Sequence, residues 1–262
     1  MSSLPLFKSI LVRNARHSSI IFCKVRSFSN ETIENQHDKE HNSSEIKHKI
    51  LIESLKYVPE KGWSKEAITA GAEAIGYPGI IHGLFPSGGA DLINFFQTDS
   101  NLKLVEKMKE FQKEAEASPV APVDFVERAI QEKLLMIVPY KKRWPQAIAI
   151  MSLPPNVPTA LASLLTLVDD ICYFAGDRSV DFNWYARPIG IAGIYKASEL
   201  YLIQDSSQDQ KRTFEFLHRR LLEAVKIHDI ICKGDSTNPD TKESIVSAFV
   251  TARNILGLNW NR

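Results

Sequence analysis

An all-helical fold follows from three features of the sequence. From Ser44 onward nearly every segment repeats apolar residues at helical spacing, and no run shows the short alternation of a half-buried strand. Helix starts are also marked by capping chemistry, as at Ser64 and at Asn238 with Pro239. With 262 residues, 44% of them apolar, the chain can bury one sizeable core. Helix lengths and turn signatures do not recur, which disfavours the stacked helical repeat as an alternative.

The first helix spans about 44–57, with Ile46, Ile50, Leu51 and Leu55 on one stripe. Ser64 caps the second, where Trp63 before the cap can reach Ile68, and Gly76 ends it. A short helical segment over 79–84 leads through "FPSGGAD" into a long helix from Gly89 to about Glu116. Further helices are predicted over 123–139, 144–153, 158–175, 180–203, 208–231 and 239–256. The uncharged run from Trp144 to Val168 is long enough for a membrane span, but Pro154, Pro155 and Pro158 divide it into two core helices. Cys172 and Cys232 fit reduced, buried positions, and with Cys23 they offer no zinc or disulfide spacing.

The N-terminus is unlike the rest. Residues 1–28 carry Lys8, Arg13, Arg16, Lys24 and Arg26 without an acid, and their apolar residues can line one helical face, the composition of a mitochondrial presequence. Residues 29–43 read as a solvated linker. Of 32 basic and 31 acidic side chains, removing those five bases leaves 27 against 31, so the remainder is mildly acidic. The helix, turn and short helix before Phe85 suggest a helix-turn-helix-like unit, yet between Gly62 and Gln97 Lys65 is the one basic residue beside Glu66, Glu73 and Asp91. Such a surface repels phosphate, and nucleic acid is excluded as a partner.

No catalytic residue, metal site or cofactor is expected. The glycine-rich stretch before Asp91 lacks a P-loop lysine, and one Glu215-to-His218 half-motif falls short of a di-iron site. His82 reads as a core or turn residue. Asp169 and Asp170 project about 100° apart on a helix and read as an acidic surface edge with Asp177 and Asp181. The stretch "DFNWYARP" sets Phe182, Trp184 and Tyr185 in diverging directions beside Arg187, the composition of a partner-binding surface. Pro188 removes a hydrogen bond to the Trp184 carbonyl and should bend the helix there. After it, "IGIAGIY" is apolar on nearly all sides, and its two glycines suit a buried wall that allows close approach. Small residues beside large apolar ones would equally suit a filled core or a cavity. The last helix, 239–256, shows a stripe of Ile245, Phe249, Ala252 and Leu256 that could close the bundle, pair with a second copy or lie on a membrane.

The ordered segments "GWSKEAITAGAEAIG", "LFPSGGADLINFF", "LLMIVPYKKRWPQAIAIMSLPPNVP", "LVDDICYFAGDRSVDFNWYARP" and "IYKASELYLIQDSS" resemble the mitochondrial coenzyme Q biosynthesis protein nine family over about 48–262. The resemblance implies a TetR-like bundle over 44–236, without DNA activity, followed by a membrane-associating amphipathic helix over 237–262. It implies a lipid-binding accessory protein, peripheral on the matrix side of the inner membrane, that presents an isoprenoid or quinone intermediate to the demethoxyubiquinone hydroxylase of the biosynthetic complex. In fungi it also implies support for ring deamination. By the same resemblance Asp169, Ile171, Trp184, Tyr185 and Arg187 belong to the partner-binding patch, and Ile245, Phe249, Ala252 and Leu256 to the membrane helix. Ile171 replaces the family's methionine and Pro188 its second arginine. Residues of the lipid pocket and any homo-oligomer remain unassigned. An enzyme acting directly on an aminated or demethoxy quinone precursor is the competing reading.

Overall fold

The computed structural model describes residues 44–78, 83–117, 120–176 and 183–233, of which 116–117, 183–187 and 227–233 are described by their backbone. The expected presequence, linker, His82, Cys23 and tail helix therefore lie outside the described residues, and Cys232 is described by its backbone alone. The chain divides into two compact units, Met1–Ile50 and Leu51–Arg262. The first is described only over its helical residues 44–50, and all packing below lies within the second.

Every described element is helical. Helix α1 covers residues 44–55. It is followed by α2 (Val58–Lys61), α3 (Lys65–Ala74), α4 (Gly89–Ala117) and α5 (Pro122–Ile137). A 3₁₀ stretch, Val138–Arg143, leads into α6 (Trp144–Met151), then α7 (Val157–Phe174) and α8 (Asn183–Gln204). A second 3₁₀ turn, Gln208–Gln210, precedes α9 (Lys211–Lys233).

Local chemistry explains most boundaries. Ser64 is extended and its hydroxyl accepts from Ala67 N–H at 3.3 Å, the cap expected from the sequence. Gly76 adopts φ +82 beyond the end of α3, a conformation that costs glycine little. Proline at the first turn starts α5, α6 and α7 without losing a helical hydrogen bond. The helix expected from Gln208 instead starts at Lys211, because Asp209 and Gln210 hold left-handed backbone angles, φ 54 and 53. Asp205 organises that turn. Its carboxylate accepts from Ser207 N–H at 2.8 Å, Thr213 N–H at 2.9 Å and the Thr213 hydroxyl at 2.6 Å, and its carbonyl accepts from Lys141 Nζ.

Helix α4 is the central strut, packing on α3, α5, α6 and α7. Its contacts on several sides explain why Leu92, Ile93, Phe96, Leu104, Met108 and Phe111 are all buried without forming one narrow stripe. At one end of the core Trp63, Phe96 and Trp144 meet nearly edge to face, with ring centroids 5.4–5.6 Å apart, and Tyr140 lies 5.1 Å from Phe96. Gln146 of α6 clasps the backbone beneath this cluster: its Oε1 accepts from Trp63 N–H at 3.0 Å and its Nε2 donates to Trp63 O at 3.3 Å. Gly62, at φ +72, makes room for that amide, since a Cβ there would lie 2.4 Å from Gln146 Oε1. Gly71 similarly lets α3 reach α1, where a Cβ would lie 2.6 Å from the Ser54 backbone.

Candidate functional site

Among the described residues, a partly enclosed apolar surface lies on α7 and α8, which pack against each other. Helix α7 is 18 residues long with mean hydropathy 1.4, enough by length and composition to cross a membrane, yet 22% of it is buried. A core helix of that composition would be mostly covered, so the expectation that α7 is a core helix needs correction. Its C-terminal part is interior, with Leu167, Val168, Ile171 and Cys172 buried. Its N-terminal half is not: Ala160 to Leu165 are half-buried, while Leu153 and Val157 before them are 51% and 43% exposed. Polar contacts also tie this helix to α4: Asn101 Nδ2 donates to Ser163 O at 3.2 Å, and Gln112 Nε2 donates to Phe174 O, at the C-terminal end of α7, at 2.9 Å.

Helix α8 shows a second correction. It runs through Pro188 as expected, with that proline buried. Gly190 and Gly193, however, form no closely approached wall; both are exposed, and a Cβ added to either would meet nothing within 4 Å. A helix apolar on nearly every side must turn one apolar face away from its neighbours, and here Ile189 and the glycines take that place.

The residues expected to form a partner-binding patch separate in burial. Asp169 is half-buried on α7, Ile171 is fully buried beneath it, and Trp184, Tyr185 and Arg187 occupy the first turns of α8. Ile171, expected in the partner-binding patch, therefore has no exposed surface of its own. Asp170, expected at a solvated edge, is 6% exposed, because the 100° step between neighbours turns it inward where Asp169 turns out. Asp177 and Asp181, like Phe182, lie outside the described residues.

Several titratable groups elsewhere are tied into structural pairs. His218 faces Glu127 of α5 across 2.8 Å instead of joining Glu215, in an open groove of about 750 Å³ shared with Gln208, Lys211 and Phe214. Among the described residues no three histidine, cysteine or acidic side chains are grouped to hold a metal ion. Glu199, 1% exposed, accepts from the Trp144 indole at 3.1 Å and the Tyr195 hydroxyl at 3.4 Å and pairs with Lys196 at 2.8 Å. Burial, then the Glu199 charge and hydrogen bond, push the Tyr195 phenol well above its ordinary value. Sequence reading missed Glu199 and the fully buried Lys133. The signal was present: Lys133 interrupts the stripe of Ala129, Ile130, Leu134 and Ile137 that α5 turns to the core.

Fold and surface together define an all-helical protein whose open apolar helix pair is suited to covering, or being covered by, another apolar body. Its relatives share this region. Residues 157–228, from α7 into α9, match the family profile described as COQ9, and residues 44–73 match that described as Ubiquinone biosynthesis protein COQ9, N-terminal domain. The chain is 46% identical over 217 residues to the mitochondrial ubiquinone biosynthesis protein COQ9 of Drosophila melanogaster, covering 83% of this chain and 67% of that protein. It is 36% identical over 238 residues to the protein of that name in Rattus norvegicus, with 90% and 76% covered. The Homo sapiens protein of that name is 36% identical over 231 residues, with 87% and 73% covered. The chain belongs to the COQ9 family of ubiquinone biosynthesis proteins.

Proposed function

We propose that this chain is a mitochondrial lipid-binding accessory protein of ubiquinone biosynthesis, peripheral on the matrix face of the inner membrane and without catalytic activity of its own. It shelters an isoprenoid or quinone intermediate and presents it to the demethoxyubiquinone hydroxylase, and it supports ring deamination in the same way. The observation that carries this reading is the half-covered apolar surface of α7 and α8. Burying an alkyl chain there contributes about 0.8 kcal/mol per CH₂ group, so a few isoprene units give substantial affinity without any bond chemistry. Asp169, Trp184, Tyr185 and Arg187 form the docking surface, with Ile171 as its support. The unit over residues 44–84 is a helix-turn-helix remnant of a TetR-like bundle that has lost its basic reading face. Ile245, Phe249, Ala252 and Leu256 of the tail insert into the bilayer interface.

Two measurements test this. Native mass spectrometry of the purified chain should find a co-purifying prenyl lipid that is lost on Leu161→Asp with Ile191→Asp, while circular dichroism stays unchanged. An unliganded wild-type chain that also takes up no prenyl quinone would overturn the lipid reading, and conversion of an aminated precursor by the chain alone would make it an enzyme. Trp184→Ala with Tyr185→Ala should weaken hydroxylase capture at least about tenfold, the loss of 1.4 kcal/mol or more expected of interface aromatics. Unchanged capture would remove the patch.

A further inference from the structure

The turn between α6 and α7 is apolar and exposed, with Leu153, Pro154, Pro155, Val157 and Pro158 all facing out. Its backbone is closed on itself. Ser152 N–H donates to Ile148 O at 3.0 Å, Leu153 N–H to Ile150 O at 3.2 Å, and the Asn156 and Val157 N–H groups to Leu153 O at 2.8 and 3.1 Å. Ala160 N–H returns to Asn156 O at 3.0 Å, while Ser152 Oγ donates to Ile148 O and Asn156 Nδ2 to Ile150 O, each at 2.8 Å. Positions 154, 155 and 158 are prolines and have no N–H, so Thr159 is the one amide of 152–160 outside this set. In water such closure gains little, because water satisfies a free amide. An apolar medium demands it, since an unpaired N–H there is heavily penalised.

Charge is arranged to match. The run from Trp144 to Val168 that contains the turn is uncharged, and α4, which meets it through Gln97 at Met151 and Asn101 at Ser163, is uncharged over 92–98. Asp99 beyond is paired with Lys103 at 2.6 Å. The first charges back along the chain are positive: Lys141, Lys142 and Arg143, one length of the eight-residue α6, or about 12 Å, from the turn. Lys141 and Arg143 bind backbone carbonyls, of Asp205 and of Glu60, and Lys142 is exposed, so no carboxylate among the described residues neutralises the three.

We propose that the α6–α7 turn is a membrane-inserting wedge: Leu153, Val157 and the three prolines enter the bilayer interface, and Lys141, Lys142 and Arg143 meet the lipid phosphates. An insertion of roughly 5–10 Å, the depth usual for interfacial segments, leaves the basic triplet at headgroup height. A protein partner would also accept an apolar turn, but it places no demand on the turn's amides, because a partner can supply acceptors of its own. The wedge rests on the peripheral-membrane reading above and gives it a second contact, on the folded body and distant in sequence from the tail.

Co-flotation of the full-length chain with vesicles of phosphatidylcholine, phosphatidylethanolamine and cardiolipin reads the wedge. Leu153→Glu with Val157→Glu should weaken binding roughly tenfold or more, in addition to any loss from Phe249→Glu with Leu256→Glu in the tail. That loss should persist at high salt, because the turn carries no charge, whereas Lys142→Ala should weaken binding at low salt alone. Leu153→Trp keeps the turn apolar; it should retain binding, and brominated acyl chains should quench its emission beyond that of the wild type. Unchanged binding by the glutamate pair, or no added quenching in Leu153→Trp, overturns the wedge and leaves the tail as anchor. A wild-type chain that ignores the vesicles overturns both. Loss of hydroxylase capture with vesicle binding intact assigns the turn to a protein and likewise overturns it. Should the glutamate pair not fold, the quenching decides alone.

Discussion

The aromatic junction and the α7–α8 surface are built from similar residues and packed in opposite ways. At the junction Trp63, Phe96 and Trp144 are buried to within 4% of their surface, and the Trp144 indole has a partner in Glu199. On α7 an equally apolar sequence stands half uncovered. Apolar composition thus measures what a segment would bury, while its neighbours decide what it does bury. The aromatic junction is a fixed frame, and α7 holds hydrophobic surface that the described residues leave uncovered.

Three substitutions probe that contrast. Trp144→Ala should cost about 3–5 kcal/mol in denaturant unfolding, since it removes a fully buried ring and leaves the Glu199 carboxylate short of a donor. Leu161→Ala, on the half-buried part of α7, should cost under about 1.5 kcal/mol; an equal loss at both positions would erase the distinction. Between them falls Gly71→Ala, expected to cost about 1–3 kcal/mol because its methyl would press on the Ser54 backbone. The smallest effect sharpens the frame's edge. Burial pushes the Asp205 carboxyl up, but hydrogen bonds from Thr213 and Ser207 outweigh it and hold it well below the usual range. Its contribution is present above about pH 4 and is lost as pH falls toward the folded value, so Asp205→Asn should flatten the acid limb of the stability curve and cost about 1 kcal/mol at neutral pH.

What the sequence made legible was local. The Ser64 cap depends on residues within one turn and was read from the sequence, and the helix starts expected at 123, 144 and 158 fall within one residue of α5, α6 and α7. The all-helical class followed from periodicity alone. Facts that depend on a distant neighbour were not readable. Asp170 was expected in solvent and is buried, and Gly190 and Gly193 were expected at a close contact and face open space, because helical phase is visible in a sequence and the facing helix is not. The turn at Asp209 and Gln210 was missed for a related reason: Asp205 reaches eight residues ahead to Thr213, beyond the range of ordinary capping patterns.

The Gln146 clasp has a bearing on how these sequences can drift. A carboxamide that offers one acceptor and one donor to the same residue imitates a neighbouring β-strand, and Gln146→Glu would set a negative oxygen against the Trp63 carbonyl. The room for that carboxamide exists only while position 62 has no side chain. Positions 62 and 146, 84 apart in the chain, are therefore physically coupled: a change at either one alone carries a cost that a change at the other would have to relieve.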